Sequence, residues 1–265
     1  MTARSNIAAA LTGAALALGG VVAAPHVVPA KAARIEVKWG TPTGYTERAG
    51  YVLAFDHGRK TAAWTLHYLD GARVLAHSQR ASFRADESLP AECRAVLDDY
   101  HGTTLHDRGH LVPAADADWS TASALDAGLL SNIAPQDSRL NRGPWASLEQ
   151  YIRDIASRPN TQVWCFTGVL DAPEPLPKVG KRTDGGALVQ WIGPNHIRVP
   201  THWWKAILVQ CGGAIELLAW IAPNGPYDVP DLDRWLVSVD QLESLTGLDL
   251  FSWLPDAQER RLEAM

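Results

Sequence analysis

The sequence predicts an α+β fold, with a mixed or antiparallel sheet as its core and helices flanking it. Two observations point there. Strand-like apolar runs outnumber helix-like ones, and they are joined by short turns rather than by helical crossovers. At 265 residues the chain is long enough for one large domain or two small ones, and it can bury a sizeable core.

The elements follow in order. The first 24 residues carry one basic residue, Arg4, before a small and apolar run from Ile7 to Ala24, and no acidic residue precedes Glu36. With Ala30-Lys31-Ala32 as an A-x-A cleavage site, residues 1–33 read as a secretory signal. An uncleaved membrane anchor and a mitochondrial presequence are the alternatives, the last weakened by the lack of several arginines. Residues 34–265 form the working domain. YVLAF and AAWTLHYL predict two strands around the turn DHGRK, and ECRAVLDDY reads as helical. A helical stretch from Ser120 to Gly128 leads into the apolar LLSNIAPQ.

RGPWASLEQYIRDIAS predicts a helix with Pro144 in its first turn and Trp145, Leu148 and Ile152 on one stripe. The second half alternates strands, TQVWCFTGVL, ALVQWIG, HIRVPTHWWKAILVQ and GAIELLAWIAP, with hairpins at IGPNHI and CGGAIE. Asp240 and Glu243 predict a capping box for a short final helix that Gly247 ends.

Several function classes are excluded by what is missing. No G-x-G-x-x-G, phosphate-binding P-loop or G-x-S-x-G occurs. Cys93, Cys165 and Cys211 lack zinc spacing; Cys165 and Cys211 read as buried, with one disulfide conceivable after export. The formal charge of −5 argues against a surface coated with basic residues, though it allows a locally basic groove.

The stretch HDRGHLVPA places His110 two residues after Arg108, with Gly109 read as allowing a tight bend. An imidazole is a suitable base near neutral pH, and a guanidinium is a permanent fork for phosphate oxygens. Asn141 and Glu149 stand eight residues apart, about 80° round a continuous helix, so they offer two hard oxygen ligands of the kind Mg²⁺ takes. Asp107 reads as a brace for the turn, His101 and His106 as surface residues, and the Trp203-Trp204 pair as core.

DRGHLVPAAD followed by LSNIAPQDSRLNRGPWASLE resembles the DNA/RNA non-specific endonuclease family, whose core is a ββα-metal finger, and is nearest to its endonuclease G branch. Supporting stretches extend the resemblance over roughly residues 36–255. It implies a Mg²⁺-dependent hydrolase of DNA and RNA, with Mn²⁺ as a substitute, contacting its polymers through the phosphate backbone. It further implies His110 as general base, Asn141 as the direct metal ligand, and Glu149 as the carboxylate that holds metal-bound waters and helps deliver a proton to the leaving oxygen. Arg108 would contact phosphate, with Arg80 as the upstream arginine and Arg84 its rival, and Asn132 would fix the finger by hydrogen bonds. A homodimer and an inhibitor protein are further expectations of the resemblance, and the compartment expected is secreted or periplasmic, or alternatively a membrane anchor or the mitochondrial intermembrane space. Gly143-Pro144 and Ala127-Gly128-Leu129 depart from the family's usual residues. An inactive nucleic-acid-binding relative and a phosphodiesterase for small nucleotides are the rival readings.

Overall fold

The computed structural model describes residues 45–78, 80–172, 190–225 and 232–264. The proposed signal segment, and residues 187–189 of the expected ALVQWIG strand, lie outside them. Among the described residues no helix is long and apolar enough to cross a membrane.

The core is a seven-stranded sheet in the order β1-β2-β3-β6-β9-β10-β11. Its strands are β1 (Thr46–Glu47), β2 (Tyr51–Asp56), β3 (Thr61–Asp70), β6 (Thr161–Leu170), β9 (His202–Cys211), β10 (Ala214–Pro223) and β11 (Leu236–Val237). Every neighbouring pair is antiparallel. Gly212 and Gly213 turn β9 into β10 with φ of 55° and 93°, the left-handed pair that a tight two-residue hairpin needs. Two further strand pairs stand apart from the sheet: β4 (His106–His110) with β5 (Ile133–Asp137), and β7 (Trp191–Ile192) with β8 (Ile197–Arg198).

Alternation along the strands gives the sheet two apolar faces. On one face Trp203 meets Trp145 edge-on at 5.7 Å, and Trp220 meets Tyr151 at 6.5 Å. On the other, Phe166 packs on Phe251 and Trp253 from the C-terminal segment. Trp203 and Trp204 are both fully buried, one per face, each removing on the order of 200 Å² from water.

The short helices are α1 (Gly71–Leu75), α2 (Ala114–Ala117) and α3 (Thr121–Ala127), the last capped by the Ser120 hydroxyl. The longest helix is α4 (Ala146–Ala156), whose Leu148 and Ile152 are buried along with Trp145 just before it. Burial of such side chains contributes roughly 1.5–3 kcal/mol each.

Four expectations are corrected. The stretch ECRAVLDDY forms only a short 3₁₀ turn, Leu97–Tyr100, because it lacks a continuous apolar stripe. Helix α4 begins at Ala146, not in RGPW: residues Asn141–Trp145 make a wide π turn, broken by Gly143 at φ −112° and ψ −111°. The final capping box uses Ser238 and Gln241, whereas Glu243 accepts the Leu250 N–H at 2.6 Å; Gly247 does end that helix, α5 (Val239–Thr246), at φ 70°. A last helix, α6 (Asp256–Glu263), follows. Cys165 is buried but Cys211 is exposed, since it ends its strand at the hairpin, and all three cysteines are free.

Candidate active site

The two-stranded β4–β5 ribbon and helix α4 sit together on the Trp203 face of the sheet. The ladder pairs Asp107 with Gln136, Gly109 with Ala134 and His110 with Ile133. Gly109 lies in this ladder, not in a bend. A Cβ there would fall 2.5 Å from Gln136 Oε1, 2.6 Å from Gln136 Cβ and 3.0 Å from Trp203 Cη2, so the glycine makes room first for the Gln136 side chain of the ribbon's own partner strand and then for the sheet's Trp203.

Asn132 fixes the ribbon's far end. It is fully buried, its Oδ1 accepts the Val112 N–H at 2.9 Å, and its Nδ2 donates to the carbonyls of Val112 and Ala127 at 3.0 and 3.1 Å. These bonds occupy the whole carboxamide, which braces the backbone and does not reach the groove. Asn224, a residue the sequence did not single out, does similar work at the other end. Its Oδ1 accepts from Asp137 N at 2.7 Å, and its Nδ2 donates to Pro135 and Pro200 carbonyls.

Because side chains alternate along β4, His106, Arg108 and His110 share a face. Phe83 lies between two of them: the Arg108 guanidinium sits 4.5 Å from its ring centroid, and the His110 ring 5.1 Å from it. Phe83 in RASFRAD was also overlooked in the sequence, where an aromatic beside two arginines carries no periodic signal. Burial pushes the His110 imidazole down to about 3, with Arg80 and Arg108 pushing the same way. The ring is therefore neutral at neutral pH.

A groove is lined by Arg80, Phe83, Tyr100, Thr103, His106, Asp107, Arg108, Asn141 and Arg142. It thus holds three of the candidates, Arg80, Arg108 and Asn141. His110 and Glu149 are not among its lining residues; His110 is linked to it through the Phe83 ring it packs on. His106 lines it as well, where a plain surface residue was expected. Arg84, the rival of Arg80 for the upstream role, donates to the Leu125 carbonyl at 2.7 Å and is not among the lining residues.

Asp107 organises the groove's far wall. Its Oδ2 accepts from Asn141 Nδ2 at 2.8 Å and from Arg142 Nε at 2.8 Å, and its Oδ1 accepts from Arg142 at 2.6 Å. Burial raises its pKa, but the bonds from Arg142 and Asn141 outweigh that and hold it below the usual carboxylate range. It remains an anion, and an anion can only accept. The Asn141 amide nitrogen is thereby committed to Asp107, and Asn141 is one of the groove's lining residues.

Glu149 lies one turn into α4 and is mostly covered, at 16 % side-chain exposure. Burial pushes it up to about 7, against the pull of the Lys205 ammonium 4.0 Å away. The broken turn at Gly143 means that Asn141 and Glu149 do not share one helix, so the continuous-helix angle does not apply to them.

The chain matches the family model for DNA/RNA non-specific endonuclease over residues 31–257. It is 37 % identical to human "Endonuclease G, mitochondrial" over 220 residues, covering 80 % of this chain and 71 % of that protein. It is 32 % identical to "Nuclease C1" of Cunninghamella echinulata var. echinulata over 224 residues, covering 81 % and 85 %. A solved EndoG, in complex with EndoGI, superposes with a TM-score of 0.70 at 26 % identity, covering 84 % of this chain and 92 % of that one. With the antiparallel sheet and the ribbon-and-helix finger on its face, these matches settle the family: the chain belongs to the DNA/RNA non-specific endonucleases, in the endonuclease G branch.

Proposed function

We propose that the chain is an endonuclease that hydrolyses phosphodiester bonds of DNA and RNA without sequence preference, using Mg²⁺, with Mn²⁺ as a substitute. The observation that carries this reading is the Asp107–Asn141 hydrogen bond at 2.8 Å, because it presents a carboxamide oxygen beside Arg108 in the same groove. A neutral oxygen with room around it fits an ion that keeps most of its water and takes one or two protein donors. Asn141 Oδ1 would hold that ion directly, and Glu149 would hold waters around it. When bound, the ion neutralises charge on the phosphate oxygens and lowers the barrier to their crowding at phosphorus.

The chain's own residues account for the remaining work. His110 takes a proton from the attacking water, a role open to its neutral imidazole. Arg108 and Arg80 offer fixed forks to the non-bridging oxygens and hold the backbone in register. Asn132 acts at a distance, keeping β4 and its histidine in place. Contact through phosphates, with no base reader required, is what makes cleavage non-specific.

The curated endonuclease G and EXOG relatives carry "mitochondrial" in their names, which supports the organellar alternative for this chain over the export route. Sequencing the mature N-terminus decides between them. A protein inhibitor of the kind the EndoG neighbour was solved with belongs to the same proposal.

Plasmid degradation with Mg²⁺ and then with EDTA tests the function. Cleavage that EDTA abolishes and Mg²⁺ or Mn²⁺ restores is expected. Plasmid binding without cleavage in any metal would indicate an inactive relative. Hydrolysis of bis(p-nitrophenyl) phosphate but not of plasmid would indicate a small-nucleotide phosphodiesterase.

A further inference from the structure

We propose that Lys205 is a positioning residue for the reaction, holding the Glu149 carboxylate in place from the sheet beneath helix α4. The inference rests on the reading of Glu149 given above.

Lys205 lies in the middle of β9 and is fully buried. Its ammonium donates to Thr167 Oγ1 at 2.7 Å, sits 5.2 Å from the Trp145 ring centroid, and stands 4.0 Å from Glu149 Oε1. Thr167 is its cross-strand neighbour, on the same sheet face. A hydroxyl, an indole ring and a carboxylate thus surround one cation.

Packing alone does not account for a lysine here. Lysine is almost never fully buried unless paired, and a buried charge costs several kcal/mol that a methionine of similar length would not incur. Asp116, the other buried carboxylate near this face, is already committed: it accepts from Arg153 at 2.7 Å and bonds His67 at 3.0 Å. Among the described residues, Glu149 is the carboxylate within ion-pair distance of Lys205.

At 4.0 Å the pair is an electrostatic contact rather than a tight hydrogen bond. Attraction from below therefore fixes where the carboxylate sits while its oxygens stay able to accept from water on the exposed side. Trp145 precedes Glu149 by one helical turn, so its ring closes the cage above the ammonium.

The test is a cycle of Lys205→Met, Glu149→Gln and the double variant, each measured for kcat and KM on plasmid DNA and for thermal midpoint. Lys205→Met is expected to lower kcat roughly 10- to 100-fold, the range for residues that orient a site's ligands, with KM within about 2-fold of wild type. The double variant is expected to be no slower than Glu149→Gln, and to melt above Glu149→Gln, because that single variant strands a buried cation that the second change removes. Losses in kcat that multiply would overturn the proposal, as would a Lys205→Met enzyme with wild-type kcat. If Lys205→Met fails to fold, Thr167→Val loosens the ammonium instead; a lower kcat at unchanged KM supports the role, and an unchanged kcat overturns it. Wild-type turnover by Glu149→Gln sinks the reading of Glu149 and this proposal with it. A slow Glu149→Gln beside a normal Lys205→Met sinks this proposal alone.

Discussion

Asp107 accepts a 2.8 Å hydrogen bond from the Asn141 amide, and the same carboxylate is clamped on its other side by Arg142. One strand residue thus sets the orientation of a carboxamide 34 positions further along the chain. The bond matters because an unsupported Asn rotates freely between its oxygen and nitrogen ends. Asp107 leaves it one choice.

Asn141→Ala removes the proposed ligand and should abolish Mg²⁺-dependent cleavage. Asp107→Ala keeps the ligand but frees its rotation, so the Mg²⁺ concentration for half-maximal activity should rise by roughly 10-fold. Arg142→Ala, losing an exposed ion pair only, should move it by less than about 3-fold. A metal titration of the three variants checks this order, and equal curves for wild type and Asp107→Ala would remove the bracing role.

Salt separates the arginines. Arg80 lines the groove whereas Arg84 is tied to the Leu125 carbonyl. The slope of log(kcat/KM) against log salt should become less steep by about 1 in Arg80→Ala, the loss of one phosphate contact. Arg84→Ala should leave the slope unchanged. A change of slope in the second variant and none in the first would exchange their roles.

Gly109→Ala pushes a methyl group into the space between Gln136 and Trp203. Overpacking of this kind costs about 1–3 kcal/mol, and its relief requires Gln136 or the ribbon backbone to shift. A lower thermal midpoint together with reduced kcat is expected. A variant as stable and active as wild type would show that the ribbon tolerates the shift.

The pH dependence of stability carries a sign that can be worked out. His110 has a folded-state pKa near 3, well below the ordinary histidine value of about 6.5. The folded state therefore binds this proton less readily than the unfolded chain. Its contribution is fully present above pH of about 6.5 and is lost as pH falls toward 3. His110→Asn should flatten the acid side of the thermal-midpoint profile relative to wild type, and parallel profiles for the two would contradict the lowered pKa of this ring.

Much of this is legible in the sequence. β6 matches its apolar run end to end and β10 all but its leading glycine, because strands buried over most of their length read as near-continuous apolar stretches. The DRGH and RLNRGPW stretches are local, so their joint spacing marks the candidate site. What was hidden depends on long-range contact. Nothing near Lys205 in HWWK says that it points inward at a helix formed some 50 residues earlier. The need for Gly109 is set by Gln136 on the partner strand and by Trp203 across the fold, neither of which is near it in sequence. The turn at Gly143 escaped because helical periodicity continues on both sides of it.

Cleavage of supercoiled plasmid by purified His110→Ala, beside an equilibrium binding measurement on the same protein and DNA, bears most directly on the chemistry proposed. Turnover should fall by about 10³-fold, within the 10²–10⁴ that general-base catalysis supplies, while the dissociation constant stays within about 3-fold. Substantial Mg²⁺-dependent cleavage by that variant would contradict the account.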